Sequence, residues 1–353
     1  MKIHNFSSGP AILPQSVLNE AAEGVKNLNG EGLSVLEISH RSKAFVAILE
    51  EAVELVYELL NIPRDTYEVL FLTGGASSQF FMAPMNLLAE DQMAGYLDTG
   101  AWSAKAIKEA KAFGETTVVA SSKEDNYNHI PTGYDIPAGL RYLHVTSNNT
   151  IFGTQMHSWP ETDAPLVADM SSDIFSRELP IDKFGLIYAG AQKNMGPAGT
   201  TLVIVRKDLL GQTNRHIPTM LDYQTHIAKN SSFNTPPVFP IYVSMLTMRW
   251  IKEQGGVKAM EKINAEKAQL LYDEIDNNPR FKGTVKNQES RSLMNVTFVP
   301  TMEEDKQKFF AACEAAGIST INGHRSVGGF RASIYNAMPK ESVELLVKVM
   351  REF

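Results

Sequence analysis

The chain has 353 residues, 43% of them hydrophobic and 21% charged, the composition of an ordinary globular protein of about two domains. A formal net charge of −7, from 33 Lys and Arg against 40 Asp and Glu with no lysine–arginine run, excludes the basic stripe of a nucleic-acid binder. The single cysteine, Cys313, excludes an internal disulfide framework and cysteine-built metal sites, and no metal is expected.

No apolar run approaches the roughly 18 residues of a membrane span. Residues 1–14 carry Pro10 and Pro14 and no apolar core of signal-peptide length, so a cytoplasmic protein is expected. Residues 1–13 read as extended and irregular. Pro14 suits the first turn of a helix with Val17, Leu18, Ala21, Ala22 and Val25 on one face and Gly30 beyond its end. After a polar turn at residues 34–42, Phe45, Ile48, Leu49, Ala52, Val53, Val56, Leu59 and Leu60 recur at spacings of three and four, an amphipathic helix that Pro63 ends.

Strands and helices then alternate. Strands are predicted at residues 67–73, 94–98, 116–120, 140–146, 166–169, 185–190 and 201–205. Helices are predicted at residues 103–113 and at 77–88, the latter in spite of Pro84, which should kink it or fall in its first turn. Several of the strands are apolar on both faces, which predicts an α/β fold with a mostly parallel sheet covered by helices.

The pattern changes after about residue 240. Long helices at residues 241–254 and 257–277 are separated by Gly255-Gly256. Strands at 292–299 and 329–335 alternate with helices at 303–316 and 340–352, a smaller α+β unit in which Cys313 is a small core residue. The expected division is a large domain of residues 15–255 and a small one of residues 1–14 and 256–353.

In such sheets ligands sit beyond the carboxyl ends of the strands, and the polar groups of interest fall there. Thr73-Gly-Gly-Ala-Ser-Ser-Gln79 joins a strand to a helix; it is either a tight connection capped by Ser77 or an anion cradle of free backbone N–H groups. It is neither a Walker loop nor G-x-G-x-x-G. Asp169, ending an apolar strand, is a helix cap or the counter-ion of a cationic ring nitrogen. Trp102 is a core aromatic or a platform for a flat ligand, and Thr150 closes a turn or bonds a ligand hydroxyl. Lys193 follows a buried strand in Leu186-Ile-Tyr-Ala-Gly-Ala-Gln-Lys-Asn-Met195. A lysine there is a solvated turn residue or an amine made nucleophilic by a lowered pKa. Taken together, an anion cradle, a stacking aromatic, an acid, a hydroxyl and an amine are what pyridoxal 5'-phosphate requires.

Along nearly its whole length the sequence resembles the class V aminotransferase family of fold-type I pyridoxal-phosphate enzymes. The matching stretches are Asn5–Pro14, Ile38-Ser-His-Arg41, Gly74-Gly-Ala-Ser-Ser-Gln79, Asp98-Thr-Gly-Ala-Trp-Ser103, Val167-Ala-Asp-Met-Ser-Ser172, Tyr188-Ala-Gly-Ala-Gln-Lys-Asn194, Asn234-Thr-Pro-Pro237, His324-Arg325 and Gly328–Pro339. The resemblance implies that Lys193 takes the cofactor aldehyde and shuttles the proton, that Asp169 pairs with the ring nitrogen, that Trp102 stacks on the ring, and that Thr150 contacts its phenolate oxygen. It implies that Ala76, Ser77 and Gln192 bind the cofactor phosphate, and that Asn234 and Thr235 reach the phosphate held by a second subunit of a homodimer. Arg331 would grip the substrate α-carboxylate as a planar fork, and His40, Arg41, His324 and Arg325 would receive its distal anion. The expected reaction, part of serine biosynthesis, is ping-pong amino transfer from L-glutamate to 3-phosphohydroxypyruvate, a phosphorylated 2-oxo acid. A phosphorylated four-carbon oxo acid of pyridoxine biosynthesis is a second acceptor such a site would fit. Some family members carry arginine where this chain has Ser77, so phosphate binding here leans more on backbone donors and the His-Arg pairs.

Overall fold

The structure, a computed structural model, describes residues 2–353. Seven apolar runs pair into one sheet: β1 (Tyr67–Leu72), β2 (Met93–Asp98), β3 (Glu115–Ser121), β4 (Leu143–Thr146), β5 (Leu166–Asp169), β6 (Phe184–Gly190) and β7 (Thr201–Arg206). Their spatial order is β1-β7-β6-β5-β4-β2-β3. All neighbours are parallel except β7, which runs antiparallel to both β6 and β1. The sheet is therefore mixed, and the carboxyl ends of β1, β2, β4, β5 and β6 share one edge. Every residue of β4, β5 and β6 is buried, as strands covered by helices on both faces must be.

The Lys43–Leu59 helix starts at Ser42, whose side chain accepts the Phe45 N–H, and packs on the Val238–Glu253 helix. The first helix, Gln15–Lys26, departs from the expected face: Val17, Ala21 and Gly24 are buried, whereas Leu18 is 43% exposed. A Cβ on Gly24 would lie 2.7 Å from the Tyr242 hydroxyl, so the two helices approach through a glycine and the apolar stripe rotates. Pro84 lies well inside the Gly75–Leu87 helix, not in its first turn, and deprives the Phe80 carbonyl of its helical partner.

Beyond the sheet, β8 (Phe281–Gly283), β9 (Asn295–Pro300) and β10 (Phe330–Ser333) form an antiparallel sheet in the order β8-β9-β10. Its face packs on the Gly256–Asn277, Asp305–Ala315 and Lys340–Glu352 helices around Phe281, Phe298, Phe309 and Phe330; Phe309 and Phe330 meet edge-on at 4.8 Å. The amino-terminal segment is not irregular throughout. His4–Asn5 pairs in parallel with Ile318–Ser319, and the fully buried Phe6 joins this second core, worth roughly 2–3 kcal/mol by burial. Residues 8–11 then cross to the first sheet, where the Ala11 N–H donates to the Gln192 carbonyl at 2.8 Å.

Candidate active site

The site starts from the abrupt end of β6. Gly190 donates its N–H to Ser171 Oγ at 3.1 Å, and the chain then folds on the Ala191 carbonyl, which accepts from the N–H groups of Lys193, Met195 and Gly196. This tight turn aims the Lys193 side chain back across the strand ends. Its Nζ donates to Thr150 Oγ1 at 2.7 Å and Ser172 Oγ at 2.9 Å, with no carboxylate in contact. Burial holds the amine down to about 8; Asp169 and Asp173 pull it up and Arg331 pushes it further down.

Asp169 ends β5 in register with Thr146 of β4 and Tyr188 of β6. It is 5% exposed, and burial raises its carboxyl above the usual range, partly offset by hydrogen bonding from Ser171 and by the charge of Lys193. A buried acid in that condition favours a cationic partner. Thr146 Oγ1 beside it is buried without a hydrogen-bond partner.

One cleft of about 550 Å³ gathers Ala76, Ser77, Trp102, Thr150, Asp169, Gln192 and Lys193 from the first sheet's edge with His324, Arg325 and Arg331 from the second. Gly74 and Gly75, at φ of 96° and 64°, turn the chain into the Gly75–Leu87 helix, whose first N–H groups are free toward the cleft. A Cβ on Gly75 would meet nothing within 4 Å, so an open cradle lies at a helix N-terminus. Trp102 opens the Ala101–Ala110 helix at the next strand end, with its Nε1 buried and unpartnered.

Arg331, on β10, donates to Ser8 Oγ at 2.7 Å and to the Thr150 carbonyl at 3.3 Å, both neutral. Burial lowers its pKa, and among the described residues the cleft lining holds a single carboxylate, Asp169. A half-buried guanidinium held by neutral groups is a receptor for an anion. His324 is held below its ordinary range by burial and by Arg331 and Arg325; its Nδ1 accepts the Ser326 N–H at 3.2 Å, which leaves the ring proton on Nε2.

The same chain does not bring His40, Arg41, Asn234 or Thr235 to this cleft. Arg41 and Thr235 are exposed, His40 and Asn234 half-buried. Thr146, at the end of a predicted strand, lines it as well, and so do Ser8, Lys105, Ser171 and Ser172, to which the sequence alone assigns no role. Ser171 and Ser172 stand two and three residues past Asp169, at the same strand end, whereas Ser8 carries no such local signal and is brought there only by the crossing of the amino-terminal segment. A larger hollow of about 900 Å³ opens at the opposite edge of the sheet, around Gln92, Arg141 and Pro165, and has no lysine among its lining residues.

A buried amine, a buried acid, a flat aromatic and a helix-terminal anion cradle at one sheet edge define an aldehyde-cofactor enzyme. Residues 3–346 match the family model of class-V aminotransferases, and the chain belongs to that family, whose members depend on pyridoxal 5'-phosphate. It is 61% identical to the phosphoserine aminotransferase of Flavobacterium psychrophilum over 352 residues, covering 100% of this chain and 99% of that one. Its backbone is similar to that of the phosphoserine aminotransferase from Bacillus circulans subsp. alkalophilus, with a TM-score of 0.96 at 47% identity over 99% and 98% of the two chains. It is similar also to the pyridoxal-phosphate-bound phosphoserine aminotransferase of Trichomonas vaginalis, with a TM-score of 0.93 at 38% identity over 99% and 100%. The cleft fits the cofactor: the Gly75 cradle is open to a phosphate, and the buried acid Asp169 and the unpartnered Thr146 hydroxyl line the space a cationic ring would fill.

Proposed function

We propose that the protein transfers an amino group from L-glutamate to 3-phosphohydroxypyruvate, giving O-phospho-L-serine and 2-oxoglutarate. The observation that carries this reading is the Lys193 amine, held near pH 8, in one cleft with buried Asp169 and with Arg331, a guanidinium without a carboxylate. Relatives at 54–61% identity over the full chain are named for this activity.

Pyridoxal 5'-phosphate, when bound, supplies a carbonyl carbon that takes the amino group and a cationic ring that draws electrons from the substrate Cα. The chain's own residues do the rest. Ala76, Ser77 and Gln192 hold the phosphate, the first two through the helix N-terminus. Asp169 keeps a proton on the ring nitrogen, since a buried carboxylate favours a cation beside it. Trp102 covers the ring and excludes water. Thr150 and Ser172 orient Lys193 Nζ, which takes the Cα proton as a neutral base; an amine near 8 is matched to that task. Arg331 grips the α-carboxylate, and His324 and Arg325 meet the distal anion, a carboxylate in one half-reaction and a phosphate in the other.

His40 and Arg41, and Asn234 and Thr235, act in this reading from a second copy of the chain, the latter two on its cofactor phosphate. Support comes from the apolar side chains left exposed beside them: Leu33 at 50%, Leu36 at 61% and Phe233 at 42%. We take residues 15–255 as the cofactor domain and residues 1–14 with 256–353 as the smaller one, in keeping with the separate aromatic core around Phe309. No helix among the described residues is long and apolar enough to cross a membrane; a cytoplasmic location belongs to the same proposal.

The test is a half-reaction. Loaded enzyme given L-glutamate alone should release one equivalent of 2-oxoglutarate per subunit and then stop until 3-phosphohydroxypyruvate is added. Continuous turnover without an acceptor, or no release, would sink the assignment.

A further inference from the structure

We propose that Lys105 is a specificity-determining residue that reads the acceptor's phosphate, standing where the glycine loop offers only the neutral Ser77. The inference deepens the reading above and rests on it.

Lys105 lies three residues after Trp102 on the Ala101–Ala110 helix, so the two side chains share a face. Its Nζ sits 4.3 Å from the centroid of the Trp102 ring. That contact holds the ammonium over the indole without neutralising it. Lys105 also lines the cleft with Lys193, Asp169, His324, Arg325 and Arg331.

Counting charges leaves Lys105 with work to do. The one carboxylate of the cleft, Asp169, is committed to the ring nitrogen. Lys193 is committed to the proton and Arg331 to the α-carboxylate. Of this chain's own cationic side chains in the cleft, Lys105 and Arg325 then remain, with His324 pushed toward its neutral form by burial and by its cationic neighbours. A phosphate monoester carries nearly two negative charges at neutral pH and three acceptor oxygens, a carboxylate one charge. Two point cations approaching from different walls, Lys105 from the first sheet's side and Arg325 from the second's, match the former better than the latter. A lysine suits this wall: a compact charge on a flexible stem that reaches either acceptor length.

The experiment uses the loaded enzyme and the variants Lys105→Met and Lys105→Arg. It compares kcat/KM for 3-phosphohydroxypyruvate with that for hydroxypyruvate, and measures inorganic phosphate as a competitive inhibitor. For Lys105→Met we expect the preference for the phosphorylated acceptor to fall about tenfold, the scale of one charge-assisted hydrogen bond, mostly through KM. Inhibition by phosphate should weaken by a similar factor, and Lys105→Arg should restore most of both. Equal losses on the two acceptors would make Lys105 a mere prop for Trp102 and overturn the proposal; so would an unchanged preference. Weakened binding of pyridoxal 5'-phosphate in equilibrium dialysis, with the preference intact, would assign the charge to the cofactor instead and also overturn it. A wild-type enzyme that fails to prefer the phosphorylated acceptor is a different failure, that of the acceptor assignment itself.

Discussion

The Lys193 amine donates to the Thr150 hydroxyl at 2.7 Å, and the carbonyl of that same Thr150 accepts from Arg331 at 3.3 Å. A single turn therefore ties the reacting amine, on one sheet, to the guanidinium assigned to the substrate carboxylate, on the other. A substrate held by Arg331 meets Lys193 in a geometry that neither side chain sets alone.

The amine of the cofactor-free protein should titrate near pH 8. Burial is the main cause, and the unfolded chain keeps the ordinary 10.5. Between these values the unfolded chain binds the extra proton, so this group's contribution to stability grows as pH rises from about 8 to 10.5 and is lost as pH falls through 8. Reductive methylation mapped on Lys193 should reach half its limiting rate near pH 8; a midpoint near 10.5 would show a solvated lysine.

Asp169→Asn should separate folding from chemistry. The carboxyl is already disfavoured by burial, so a neutral amide is tolerated and the melting temperature of the cofactor-free protein should stay within a few degrees. Amino transfer should fall at least about a hundredfold through loss of the ring-nitrogen counter-ion. Retained turnover would remove Asp169 from the mechanism.

Gly74→Ala tests the anion cradle. Gly74 has φ of 96°, and an added Cβ would lie 2.7 Å from the Cβ of Ser78, which no side-chain rotation can move. The backbone must shift, at a strain of about 1–3 kcal/mol, and the first N–H groups of the Gly75–Leu87 helix shift with it. The dissociation constant of pyridoxal 5'-phosphate should rise at least about tenfold in equilibrium dialysis. Unchanged binding would place the phosphate elsewhere.

Much of this architecture is legible in local pattern, and the rest depends on contacts between distant segments. The strand ends that carry Asp169 and Lys193 stand out because apolar runs stop there at small or polar residues. The direction of β7 does not stand out, since an apolar run reads alike in either direction. The His4–Asn5 pairing is too short for any periodicity, and the buried face of the Gln15–Lys26 helix turns on how closely Tyr242 approaches Gly24. Lys267 reads as one more polar residue of a long helix. It is fully buried, its Nζ bonded to the carbonyls of Ile334, Tyr335 and Met338, a role set by chain that follows more than sixty residues later. The roles of His40, Arg41, Asn234 and Thr235 came through resemblance alone, and one chain does not bring them to the cleft.

The central claim is that Lys193 is the amine that holds the cofactor. Borohydride reduction of the loaded enzyme, followed by proteolysis and mass spectrometry, tests it directly. The account predicts one phosphopyridoxyl group per chain, on the peptide containing Lys193, and none in Lys193→Ala. A label on another lysine, or a label that persists in Lys193→Ala, would contradict it.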